Sequence, residues 1–323
     1  SVAGVLLILG VGIMLWMKPE ENGVWEGEKT VEPGIGQVVL TLGDGESMPL
    51  KRDTNRLIFG GTMLQVRNER GTLVYSRIKS KEASEKIVYN TLTVPVRERF
   101  QLVLADGTKV FLNSGSEMRY PERFGKARRE VFLKGEAWFE VAKDSAREFW
   151  VHAGAMDVKV LGTSFNVKAY ERLETVATTL VEGSVEVACA GKSFQIVPGE
   201  QFVYDKNNRV MDVRMVDTES YVSWKDGYYK FRQTTLEEIM ETLSVWYGLN
   251  VFYVNESAKQ VEFTGKVKRY EDARMLLDKF EQTGDVVFDI KGNNVFITIK
   301  QKKPFAREWN SFLVKARGMV WQS

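Results

Sequence analysis

"LVLADGTKVFLNSGSEMRYP", Leu102 to Pro121, decides how this chain is read. A Gly, an Asp, a Lys and several hydroxyls crowd into a few positions, which suits an active-site loop. The alternative is a turn between two strands. A second stretch separates the two. "LTLGDGESMPL", Leu40 to Leu50, aligns without gaps on "LVLADGTKVFL", Leu102 to Leu112. Both read Leu-x-Leu-x-Asp-Gly and then run through apolar residues to a Leu. Asp-Gly between alternating strands is a hairpin signal, because both turn positions must accept positive φ. The same device used twice in one chain is architecture. Asp106 and Gly107 are expected to turn, Lys109 to start the return strand, and Asn113 to Ser116 to make the next turn.

The surrounding sequence, from Gln37 to about Val216, repeats this grammar. Met156, Val158 and Val160 alternate with Asp157 and Lys159, and Phe165 and Val167 with Asn166 and Lys168. Val185, Val187 and Cys189 share one apolar face, which makes Cys189 an inert buried thiol. Turn signals recur every ~8 to 12 residues, the spacing of an all-β sandwich, barrel or solenoid.

After Tyr221 the period changes. In "TTLEEIMETLSVWYG", Leu236, Ile239, Met240, Leu243 and Tyr247 form one helical stripe. Thr235 and Glu238 fit a capping box, and Gly248 a C-terminal cap. "EDARMLLDKFEQTG" is a second helix, with Glu271 and Asp272 in its first turn, a core face of Ala273, Leu276, Leu277 and Phe280, and Gly284 at its end. With "YYKF", "NVFYV", "QVEFTGKV" and a hairpin across Lys291 to Asn294, the order is βαββαββ, a small α+β domain with its own core. Trp224, Trp246 and Tyr247 read as core aromatics of that domain. The two modules are expected to join near Asp217 to Ser223.

The ends differ from both modules. Val2 to Met17 carries no charge. At ~1.5 Å per residue, residues 1–17 span about 26 Å, just short of a ~30 Å hydrocarbon core, so upstream residues are expected to complete a membrane anchor. Residues 18–34 are acidic and punctuated by Pro and Gly, a tether. The basic tail, 301–323, places Phe305, Trp309, Phe312, Leu313 and Ala316 at helical spacing, a stripe open to three readings: packing on the preceding domain, contact with lipid, or a disordered tail. The expected organisation is therefore 1–17 anchor, 18–34 linker, 35–219 all-β module, 220–300 α+β module and 301–323 tail, mainly β overall.

Composition excludes several functions. The chain has 323 residues with a net charge of +2, too near zero for a nucleic-acid surface. One His and one Cys cannot build a His/Cys metal site of usual ligand count, and no cofactor is expected. His152 lies on a strand with no Ser elbow nearby and reads as a satisfied strand histidine. Glu136 and Glu140 sit four apart on one strand, roughly 13 Å by strand rise, too far for either glycosidase mechanism; they read as solvated strand charges. Lys126, Arg128 and Arg129 read as a solvated basic hairpin. Gly162-Thr163 in "VLGTSFNV" carries one sharper possibility. A Thr hydroxyl can attack the preceding carbonyl, giving an ester by N-to-O acyl shift that water then cleaves.

Several stretches occur in one order: "LADGTKVFLNSGSEMRYP", "REVFLKGEAWFEVAKD", "VKVLGTSFNVKAY", "TTLVEGSVEV" and "VPGEQF". Together they resemble a FecR-type transmembrane anti-sigma regulator. Residues 221–299 are similar to the secretin/TonB short N-terminal-like domain that closes such proteins in Bacteroidetes. The resemblance implies a single-pass inner-membrane protein with most of its chain in the periplasm. It implies two partners: the signalling domain of a TonB-dependent outer-membrane transporter, and an extracytoplasmic-function sigma factor held by a cytoplasmic segment outside this sequence. Some members cut themselves at a Gly-Thr within "LGT-x-F-x-V", the place of Gly162 and Thr163. The rival reading is a cell-envelope β-scaffold, either glycan-binding or a glycoside hydrolase with convergent carboxylates.

Overall fold

A computed structural model of the chain describes residues 36–51, 56–60, 64–69, 72–77, 87–269 and 272–300. The expected anchor, the acidic linker and the 301–323 tail lie outside the described residues, as does Glu271. Among the described residues no helix is long and apolar enough to cross a membrane.

Between residues 36 and 216 every regular element among the described residues is a strand, and the long strand Arg129–Glu140 explains how they are arranged. Its first half pairs with Phe149–Ala153 and Glu117–Pro121, its second half with Lys109–Leu112 and Ser164–Ala169. The strand thus belongs to two sheets that share one apolar core, built from Val131, Phe139, Val151, Phe165, Val187 and Phe202 among others. Of the expected β architectures, this is the sandwich. The strand changes sheet at Gly135, where φ is +104°. A Cβ there would lie 2.5 Å from Ser116 Oγ and 2.7 Å from Ser116 Cα, so only glycine lets the two backbones approach this closely.

Both Asp-Gly stretches are hairpins. Val38–Thr41 pairs with Ser47–Leu50, and Phe100–Val103 with Lys109–Leu112. The turn type differs from the expectation. Only Gly45 and Gly107 have positive φ, at +94° and +88°, while Asp44 and Asp106 do not. Gly107 N donates to Leu104 O and Leu104 N to Thr108 O, closing a three-residue loop with a left-handed glycine at its end. Cys189 is buried as expected, and burial raises its thiol pKa.

The C-terminal module has the predicted order of strands and helices. The helix Leu236–Tyr247 starts with Thr235 Oγ1 accepting from Glu238 N at 3.3 Å and stops at Gly248. The helix Ala273–Thr283 begins two residues later than the pattern suggests. Asp272 is its N-cap, accepting from Arg274 N at 2.8 Å, rather than part of its first turn. Two sheets result: the ribbon of Tyr228–Thr235 with Glu262–Lys268, and a three-stranded sheet with Asn294–Ile299 between Asn250–Tyr253 and Val286–Lys291. The second core contains Trp224, Trp246 and Tyr247 as predicted, and also Trp138 from the long strand of the β module.

The joint between the modules is not an extended linker. Glu219–Val222 is a helical turn, Ser223–Asp226 a 3-10 turn, and Trp224 is buried. Ser114 Oγ lies 3.1 Å from Val245 O, and Arg97 N donates to Trp246 O at 3.1 Å. These bonds tie the turn after the second hairpin to the end of the first helix. The polar C-terminal carbonyls of that helix are thereby satisfied by the other module.

Candidate functional site

The Gly162–Thr163 peptide lies between the strands Met156–Val160 and Ser164–Ala169. Its neighbours hold it from both sides. Leu161 O accepts from Asp144 N at 2.9 Å, and Thr163 O from Val141 N at 3.0 Å. A Cβ on Gly162 would lie 2.9 Å from Lys143 Cα, so glycine is needed there for space rather than for a left-handed backbone. Thr163 is buried, and its hydroxyl donates to Ser184 O at 3.0 Å. Gly183 makes room on the other side: a Cβ there would lie 2.7 Å from Thr163 Oγ1 and 3.2 Å from Gly162 O. The nucleophile and the carbonyl of the candidate bond therefore face the same glycine.

A depression of about 280 Å³ opens beside this peptide, lined by Lys109, Glu140, Glu182, Thr163 and Gly107, among others. Lys109 and Glu140 are 3.6 Å apart. The Asp-Gly hairpin is a turn, and it also forms one wall of the recess beside Gly162–Thr163.

Arg129 is the residue that sequence reasoning misplaced. It is not part of a solvated hairpin: its side chain has no exposure at all and pairs with Asp106 Oδ2 at 2.8 Å, itself only 6% exposed. The guanidinium also donates to Ala142 O at 2.8 Å, to Arg147 O at 2.9 Å and, at 3.5 Å, to Leu161 O. One buried cation thus links the hairpin, the 142–147 loop and the residue before Gly162. The signal was present in the sequence. Arg129, Val131 and Leu133 alternate on one face, and Val131 and Leu133 point to the core.

Glu136 is the second correction. It is buried, not solvated, and its carboxylate accepts from Asn113 Nδ2 at 2.8 Å and Asn166 Nδ2 at 2.9 Å. Burial raises its pKa, against the lowering effects of Lys168 and the two asparagines. Asn166 Oδ1 in turn accepts from Trp224 Nε1 at 3.3 Å. Glu136 therefore sits at the centre of the module junction, in the wall of a cleft of about 420 Å³. Ion pairs across the junction, Lys168–Glu241 at 3.7 Å and Arg214–Glu238 at 4.0 Å, border it. Glu136 and Glu140 line different recesses. They do not form the convergent pair that a glycosidase needs.

His152 Nδ1 lies 2.7 Å from Asp157 Oδ1, and its ring stacks on Phe132 at 4.9 Å. Its partners are a carboxylate and an aromatic face, as a strand histidine's would be. Among the described residues no cluster of His, Cys, Asp and Glu could hold a metal ion.

A β sandwich locked to a small α+β module defines the class of protein, and comparison with known families gives it a name. The FecR protein model matches residues 90–186, and the model for the FecR C-terminal region matches residues 228–297. The chain belongs to the FecR family. Two crystal structures from Parabacteroides distasonis ATCC 8503, each described as a "putative anti-sigma factor", are similar to it. Both are 27% identical, with TM-scores of 0.60 and 0.59. The matches cover 65% and 66% of this chain, and 99% and 100% of the solved chains. No curated protein matches the sequence.

Proposed function

We propose that this chain is the signalling part of an anti-sigma regulator. It would relay substrate occupancy of an outer-membrane TonB-dependent transporter to an extracytoplasmic-function sigma factor. The observation that carries this reading is the similarity of about two thirds of the chain to solved chains described as "putative anti-sigma factor". In this reading residues 1–17 anchor the chain in the inner membrane and the described modules lie in the periplasm. The protein acts as a regulator and not on a substrate. The transporter's signalling domain docks on the C-terminal module by strand addition at Asn250–Tyr253, an edge strand of the three-stranded sheet; at the opposite edge Phe288 N and O are already bonded to Glu281 and Arg274.

The junction gives the relay a physical route. A partner on the C-terminal module bears on Trp224 and the helix Leu236–Tyr247, and both are bonded to the β module through Asn166 and Ser114. The test is a reporter for the genetically linked sigma factor. Deleting this gene is expected to remove induction by the transporter's substrate, and restoring the full chain to recover it. An unchanged induction in the deletion strain would remove the proposal.

Self-cleavage between Gly162 and Thr163 belongs to the same reading. The strands on both sides are paired, so the pieces would stay together after the break. Purified protein is expected to show two fragments by intact mass, the second starting at Thr163. Thr163→Ala abolishes the break by removing the nucleophile, and Thr163→Ser slows it. A wild-type chain that stays whole for days would leave the peptide a purely structural role.

A further inference from the structure

The three-stranded sheet of the C-terminal module is covered on one face only. Val286, Phe288, Val295 and Ile297 point inward to the core shared with the two helices. The alternate residues point outward, and among them are several large exposed apolar side chains. Phe252 is 47% exposed, Val254 62% and Val287 42%. Phe252 stacks on Phe296 with ring centroids 5.1 Å apart. The register places Phe252 beside Phe296 in a row that ends at Asp289, and Val287 beside Thr298 in the next, so the apolar side chains gather at one end of the face, away from the polar row Asn250–Asn294–Lys291. A solvated sheet face normally alternates to polar residues, and a contiguous apolar patch marks a surface that something covers.

We propose that the occupant is this chain's own segment 304–317. The described chain reaches Lys300 directly after Asn294–Ile299, the middle strand of this sheet, so the segment leaves from the end of the central strand, beside Val287 and Thr298. Pro304 follows a four-residue connection, a usual strand-to-helix length, and Pro suits the first position of a helix. Phe305, Trp309, Phe312, Leu313 and Ala316 recur at helical spacing on one stripe. A helix over 305–317 is about 20 Å long at ~1.5 Å per residue, and a six-residue strand is also about 20 Å long. One helix therefore matches the strand length and completes a helix–sheet–helix sandwich. The proposal does not depend on the signalling role.

The test is hydrogen exchange on the full chain, in neutral detergent micelles and in lipid nanodiscs, at two protein concentrations. Tail amides are expected to exchange at least about tenfold slower than a free peptide in both media. The double variant Phe252→Ser/Phe296→Ser should bring them to the free-peptide rate. The amides of Leu236–Tyr247 should stay protected in that variant, because both changed side chains lie on the outer face. Tail amides that exchange freely in the wild type overturn the proposal. So does protection seen only in nanodiscs, which assigns the stripe to lipid, or protection that rises with concentration, which assigns the face to a second copy. Protection that survives the double variant places the tail on another surface and overturns it too.

Discussion

At Asp44 and at Asp106 the chain makes the same turn. Leu42 N donates to Glu46 O and Leu104 N to Thr108 O, both at 2.8 Å, while Gly45 N and Gly107 N each close the loop at 2.9 Å. Each aspartate accepts from the amide two residues on at 3.0 Å. Beyond the turn the two differ completely. Asp44 is exposed, and among the described residues its carboxylate has no cation partner. Asp106 also accepts from Thr108 Oγ1 at 2.8 Å and neutralises the buried Arg129. Local sequence sets a turn's backbone, but whether its side chain carries weight depends on which strand passes underneath. Here that strand is Arg129–Glu140, which the first hairpin does not meet in any described pairing.

The largest expected effect comes from breaking that difference. Asp106→Ala leaves a guanidinium buried without its counter-charge and should cost about 3–5 kcal/mol by urea unfolding. A cost no greater than that of Asp44→Ala would show that the pair is dispensable. Next are the glycines. Gly45→Ala and Gly107→Ala should each cost about 1–2 kcal/mol, because both need a left-handed backbone and neither has an atom within 4 Å of the added methyl. The two costs should agree, which sharpens the claim that the hairpins are the same locally.

Glu136 supplies a buried carboxylate of the opposite kind, held by amides instead of by a hydrogen-bonded cation. Its raised pKa means that the native state keeps a proton which the unfolded chain has already lost. Stability should therefore fall as pH rises from the ordinary glutamate value, 4.5, towards the raised native one. The slope cannot exceed about 1.4 kcal/mol per pH unit for one group, and Glu136→Gln should remove it. A slope unchanged in the variant would assign it to other carboxylates. Asp44→Ala is the smallest effect, within about 0.5 kcal/mol.

Periodicity and turn residues determined the strand-rich region, both hairpins, the two helices, the caps of the first and the buried face of each. These follow from backbone geometry, which repeats every two or 3.6 residues whatever lies nearby. The sequence also marked Arg129 as facing inward, through its spacing from Val131 and Leu133. Tertiary structure decided what that arginine meets, and it alone decided Glu136. After Gly135 the long strand is buried on both faces: Ala137 and Phe139 face the sandwich core, while Glu136 and Trp138 face the C-terminal module. No pattern within one strand can report a layer supplied by residues a hundred positions away. The same holds for Gly162 and Thr163, whose neighbours, Lys143 and Gly183, are brought in by pairing between distant strands.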